Sequence, residues 1–148
     1  MRRIIASPLT LIAALLSGLA VAAPAYNAVQ VAPRSVFLIL PRAQPEPTVS
    51  LRAVRRASGN WVLWIDTTDF QFTTICVAEA GAVPVGHAHV IRNGIKITSA
   101  YHPVVDLGPL PPGEHRISAT LRGQDHRALL GQGGLLQGEI TIRVPRRL

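Results

Sequence analysis

The dipeptide Asn93-Gly94 constrains the fold of this chain more than any other pair of residues. It separates two β-rich runs, Gly86-His87-Ala88-His89-Val90-Ile91-Arg92 and Ile95-Lys96-Ile97-Thr98. An Asn-Gly pair in that setting supplies the two positive φ angles of a type I′ hairpin turn. A two-residue loop then fixes the register, with Arg92 facing Ile95, Val90 facing Ile97, His89 facing Thr98 and His87 facing Ala100. Side chains alternate along a strand, so Ala88, Val90, Ile95, Ile97 and Tyr101 are expected on an apolar face against the core. His87, His89, Ile91, Lys96, Thr98 and, if the second strand runs on, His102 are expected on the other face.

The segments around the hairpin are also β-like. Thr48 to Arg55 alternates, with Val49, Leu51 and Ala53 against Ser50, Arg52 and Val54; Ser58-Gly59-Asn60 follows as a turn. Trp61 to Thr74 begins with apolar residues at every position, which suits a strand covered on both faces. A bend or bulge is expected at Asp66 to Asp69. Leu107 to Gly113, with three prolines and two glycines, reads as a rigid turn. His115 to Leu121 alternates again, Gly123 to Gly138 reads as a Gly/Gln/Leu-rich loop with one short helical turn at Asp125 to Leu130, and the last strand is Glu139 to Val144. Short strands separated by regular turn signals predict an all-β fold, a small antiparallel β-sandwich of immunoglobulin-like or cupredoxin-like outline. The sandwich is expected over residues 48–148, behind a Pro-punctuated leader at 26–47 whose apolar island, Val36 to Leu40, is able to add an edge strand.

Residues 1–25 carry the order of a secretory signal peptide: Arg2 and Arg3, an apolar run from Leu9 to Val21, then Ala22-Ala23-Pro24-Ala25. The apolar run is shorter than the ~20 residues of a membrane span; the alternative is an uncleaved anchor. A periplasmic or secreted location is expected, with no transmembrane span after signal removal. Loss of Arg2 and Arg3 lowers the formal charge from +7 to +5. Arginines are scattered singly or in pairs and aromatics are few, so no basic, aromatic-interleaved stripe marks nucleic-acid binding. The single cysteine, Cys76, excludes an internal disulfide and sits in an apolar, strand-like context, where a buried inert thiol is expected.

Four stretches carry a resemblance. They are Asp69-Phe70-Gln71-Phe72-Thr73; Gly86-His87-Ala88-His89-Val90 with Asn93-Gly94 and Lys96-Ile97; Leu110-Pro111-Pro112-Gly113-Glu114-His115; and Asp125-His126. In this order they resemble a set of small exported bacterial domains of uncharacterised function with an "NFRF" strand, a "GHAHLYVNGKK" hairpin, an "LPPGEHT" turn and an "NDH" element. The resemblance spans roughly Thr48 to Val144 and implies a small secreted β-sandwich with no attached enzymatic activity. The chain departs from the pattern at Ile91, where tyrosine is usual, and at Arg122-Gly123-Gln124, where Asn-rich residues are usual.

All five histidines lie between His87 and His126. His87 and His89 share a strand face about 7 Å apart, His102 is a diagonal neighbour of His87 across the hairpin, and His126 beside Asp125 is able to complete a site from a loop. Imidazoles so placed suit Cu(II), Zn(II) or Ni(II), and the expected metal set is His87, His89, His102 and His126, with Cu or Zn as the ion. His115 alternates with Ile117, Ala119 and Leu121 and is expected at the core edge, hydrogen-bonded to backbone. No Gly-x-Ser-x-Gly elbow, His-Glu-x-x-His or phosphate-cradling Gly loop is present, so an enzyme is not expected. The competing reading is an envelope accessory or interaction module without metal, in which the histidines are structural and Leu129, Leu130, Leu135 and Leu136 form an exposed patch for a protein partner or envelope component.

Overall fold

The computed structural model describes residues 35–74 and 83–146. Residues 1–25, where a signal peptide is expected, and Cys76 lie outside the described residues. Eleven strands are described: β1 (Phe37–Ile39), β2 (Thr48–Arg55), β3 (Asn60–Thr68), β4 (Gln71–Phe72), β5 (Val85–Arg92), β6 (Ile95–Ala100), β7 (Val104–Pro109), β8 (Gly113–Gly123), β9 (Ala128–Gly131), β10 (Gly134–Leu135) and β11 (Gln137–Val144). They form two sheets, β2-β3-β7 and a larger one that contains the other eight and curls into a half-barrel. The all-β sandwich expected from the turn spacing is the observed architecture. Pairing is antiparallel except at two short parallel ladders, β1–β9 and β4–β5.

The core lies between the sheets and follows the period-2 alternation. β3 contributes Leu63 and Ile65, β5 contributes Ala88 and Val90, and β8 contributes Ile117, Ala119 and Leu121, all fully buried. Val49, Leu51 and Ala53 of β2 pack inward as their alternation predicts. On the outer face of the small sheet the Arg52 guanidinium lies 4.3 Å from the Trp64 ring and is tied to Asp66 at 3.0 Å. This contact gives Trp64 the second-side cover that its apolar strand requires. The β3 run ends at Asp69, whose φ of 51° breaks the strand before Phe70.

Four sequence expectations are corrected here. The folded unit begins before residue 48: the island Val36 to Leu40 does supply the edge strand expected of it, β1 beside β9, and Leu40 is buried in the core. The Gly123–Gly138 stretch contains no helical turn; it forms β9 and β10, with Leu129 and Leu136 in the core. Those two leucines are therefore packing residues and not part of a docking patch. Val104 to Pro109 is a strand of the small sheet, so the chain crosses between sheets at Tyr101 to Pro103. The fourth correction, in the hairpin, bears on the site.

Asn93 and Gly94 do form the two-residue loop, with φ of 51° and 84°. Arg92 faces Ile95 and Ile91 faces Lys96 as expected, but the register then slips, so that Val90 faces Thr98, His89 faces Ser99 and Ala88 faces Ala100. Ile97 is the extra residue of a β-bulge. A one-residue shift exchanges the faces of everything beyond it. Ala100 moves into the core and Tyr101 leaves it, while Ile95, at 71% exposure, and Ile97 stay outside.

Candidate metal centre

The site is built on the outer face of β5 and β8. The β5–β8 ladder sets His87 opposite Arg122 and His89 opposite Thr120, and partners in a ladder project to the same face. Ala88 and Val90, one residue out of phase, anchor the strand in the core. Gly86 lets the two strands approach at the start of the site; a Cβ there would sit 1.9 Å from the Arg122 carbonyl oxygen. On the other side of β5, Lys96 pairs with Ile91, which is in phase with the histidines, so its amine also belongs to this face.

His126 arrives from the β8–β9 turn. His126 N–H donates to the Gly123 carbonyl at 3.0 Å and Gly123 N–H to the Arg127 carbonyl at 2.9 Å. The Asp125 carboxylate accepts from Arg127 through the backbone N–H at 3.1 Å and through Nε. This closure puts His126 at φ 67°, the left-handed region that glycine ordinarily fills in such hairpins. Its imidazole then folds back over β5, with ring centroids 4.7 Å from His87 and 6.4 Å from His89. His87 and His89 are 5.2 Å apart by the same measure. Tyr101, brought round by the bulge, lies 5.0 Å from His87 on its remaining side.

One ring nitrogen from each of His87, His89 and His126 lies within 4.8 Å of the others. Tetrahedral coordination at metal–nitrogen distances near 2.0–2.1 Å needs nitrogens about 3.3 Å apart. His126 is the exposed member of the group and stands on a turn, while His87 is only 2% exposed, so adjustment to an ion falls most easily to His126. Nε2 of both His87 and His89 is buried and has no hydrogen-bond partner. An orphaned buried nitrogen costs about 1–3 kcal/mol, and an ion coordinated through Nε2 would satisfy both. A recess of about 110 Å³ opens beside the cluster, lined in part by Thr73, Thr74, Tyr101 and Gln124.

Of the expected set, His87, His89 and His126 come together and His102 does not: it is exposed in the crossover after β6, one residue past the position that faces His87. The slip at Ile97 is the physical reason, and Tyr101 takes the place assigned to His102. His115 stands at the core edge with Nε2–H donating to the Pro111 carbonyl at 2.8 Å, as its alternation predicts. Tyr101, Arg122 and Lys96 complete the surroundings. Lys96 is legible from the hairpin; Arg122 depends on a pairing with His87 across 35 positions that no local signal specifies.

Burial holds the His87 imidazole down at about 4, helped by electrostatic repulsion from His126, Lys96 and Arg122. His89 is likewise lowered to about 4, by burial first and then by Arg122, Lys96 and its neighbouring histidines. Both rings are therefore neutral at pH 7 with a lone pair to offer, the form a metal requires. The unfolded chain binds protons at these rings from about pH 6.5 downward while the folded chain does not. The metal-free chain should thus be most stable above pH 6.5 and lose stability as the pH falls toward 4, with no further loss from these groups below that. Urea midpoints measured across this range should fall in the wild type, and the fall should flatten in His87→Ala/His89→Ala.

The backbone of His126 allows a second check. Glycine at a positive φ relieves a strain of order 1 kcal/mol. His126→Gly should leave the metal-free chain as stable as the wild type or up to ~1 kcal/mol more stable, while weakening metal binding at least tenfold. Thermal melts and metal titrations of the same sample read the two effects separately.

Comparisons with protein-family models, curated proteins and solved structures return no match to this chain. No helix among the described residues is long and apolar enough to cross a membrane.

Proposed function

We propose that this chain is an exported, non-catalytic module that binds one transition-metal ion, copper or zinc, through His87, His89 and His126. The observation that carries this reading is the convergence of one ring nitrogen from each of three imidazoles, on two of which, His87 and His89, Nε2 is buried without a partner. Three neutral nitrogen donors and an open side toward a small recess form a ligand set suited to copper or zinc. The leader with its Arg-Arg start and small-residue end supports export, and a metal-sequestering role in the cell envelope fits that location.

Calorimetric titration of the purified chain with Cu(II) and with Zn(II) tests the reading. Binding near one ion per chain, at micromolar affinity or tighter and unchanged in His102→Ala, is the expected result. Absence of binding to either ion would overturn it.

A second reading, an envelope interaction module with structural histidines, draws on a different feature. Ile39, Leu130 and Leu135 lie in register across β1, β9 and β10, and Phe37 shares their face. Phe37, Ile39 and Leu135 are exposed there. If the titrations show no metal, this apolar edge is the surface to examine for a partner.

A further inference from the structure

The charged side chains that act on His87 and His89, Arg122 and Lys96, are both positive. Register places Arg122 beside His87 on β8 and Lys96 on the same face of β6. Arg122 Nη1 donates to the His126 carbonyl at 3.2 Å, which fixes the guanidinium against the turn that carries the third ligand. The nearest acid in sequence, Asp125, is engaged with Arg127. Among the described residues no carboxylate joins the donor group.

Resting on the metal-binding reading above, we infer that this centre is built for monovalent copper, Cu(I), held by His87, His89 and His126, in preference to divalent ions. Three neutral imidazoles leave the full charge of the ion uncompensated. A divalent ion therefore meets twice the repulsion from Arg122 and Lys96 that a monovalent one meets. Sites for divalent ions commonly offset that charge with a carboxylate or thiolate ligand; the described donor set contains neither. Cu(I) is stable with three nitrogen donors and needs no fourth ligand. The same two cations favour the reduced ion over Cu(II), so copper bound here should have a raised reduction potential.

The test is competition for Cu(I) against a chromophoric Cu(I) chelator under reducing, anaerobic conditions, with Zn(II) affinity measured by calorimetry on the same protein. It is run on the wild type and on Cys76→Ser, because the sole thiol is itself a Cu(I) ligand. The expected result is one Cu(I) per chain in both, bound at least a hundredfold tighter than Zn(II). Lys96→Gln, which removes none of the three ligand atoms, should narrow that ratio and lower the Cu(II)/Cu(I) potential. Arg122→Gln should do so more strongly, and Arg122→Lys should restore most of the difference. Zn(II) binding as tightly as Cu(I), or a ratio indifferent to Lys96→Gln and Arg122→Gln, would overturn the charge selection while leaving the histidine centre intact. Loss of Cu(I) in Cys76→Ser would overturn it as well, by assigning the copper to the thiol. Failure of every ion to bind would remove the centre itself.

Discussion

Replacing His87 and His89 together by alanine is expected to lower metal affinity at least a hundredfold, a loss of about 2.7 kcal/mol or more. The two rings supply two of the three convergent nitrogens, and their removal leaves His126 alone on an exposed turn. A lone surface imidazole has no partner with which to define a coordination geometry. The effect should appear in thermal melts too. An ion present at a hundred times its dissociation constant stabilises the folded chain by about 2.7 kcal/mol, so the wild type should melt higher with metal and the double variant should not. Alanine at the buried His87 also opens a void, and His87→Gln/His89→Gln keeps more of the volume. Loss of binding in both variants, with the β-sheet circular dichroism of each retained, separates lost ligands from lost fold.

The largest effect on folding is expected from Gly86→Ala. Its Cβ would meet the Arg122 carbonyl oxygen at 1.9 Å, with the Arg122 carbonyl carbon at 3.0 Å and Gly123 Cα at 3.1 Å. These are backbone atoms of the neighbouring strand, so relief requires β5 and β8 to separate where His87 and Arg122 stand side by side. Overpacking of this kind costs about 3 kcal/mol, which corresponds to a drop in Tm of roughly 10–15 °C for a domain of this size. Metal affinity should fall with it, because the displaced backbone carries His87. Gly133→Ala is the control: its Cβ would meet nothing within 4 Å. Differential scanning calorimetry of the two variants distinguishes a local steric contact from a general intolerance of glycine replacement.

Local signals located the parts of this site, and long-range pairing arranged them. Asn93-Gly94 specifies its turn through backbone conformation alone, which is why the loop and the first two pairs of the hairpin follow from sequence. Alternation in β8 places Ile117, Ala119 and Leu121 inward, and the same rule puts His87 and His89 on one face. The bulge at Ile97 has no comparable signature, because Ile-Lys-Ile-Thr fits either register. What selects the observed one is the core, which accepts Ala100 beside Ala88 and leaves the bulkier Tyr101 for the histidine face. That choice moved His102 out of the site. The leucines after Gly123 are misread from sequence for a related reason: glycine and glutamine between them suggest a loop, yet Leu129, Leu130 and Leu135 lie in β9 and β10, and the burial of Leu129 depends on pairing with β1 and β8.

X-ray absorption at the zinc edge of the Zn(II)-loaded chain tests the three-histidine centre most directly. The account predicts a first shell at about 2.0–2.1 Å that includes three imidazole nitrogens, with the outer-shell scattering of rigid rings, reduced to at most one imidazole in His87→Ala/His89→Ala and unchanged in His102→Ala. A shell of oxygen donors alone, or more than one imidazole retained after the double substitution, would contradict it.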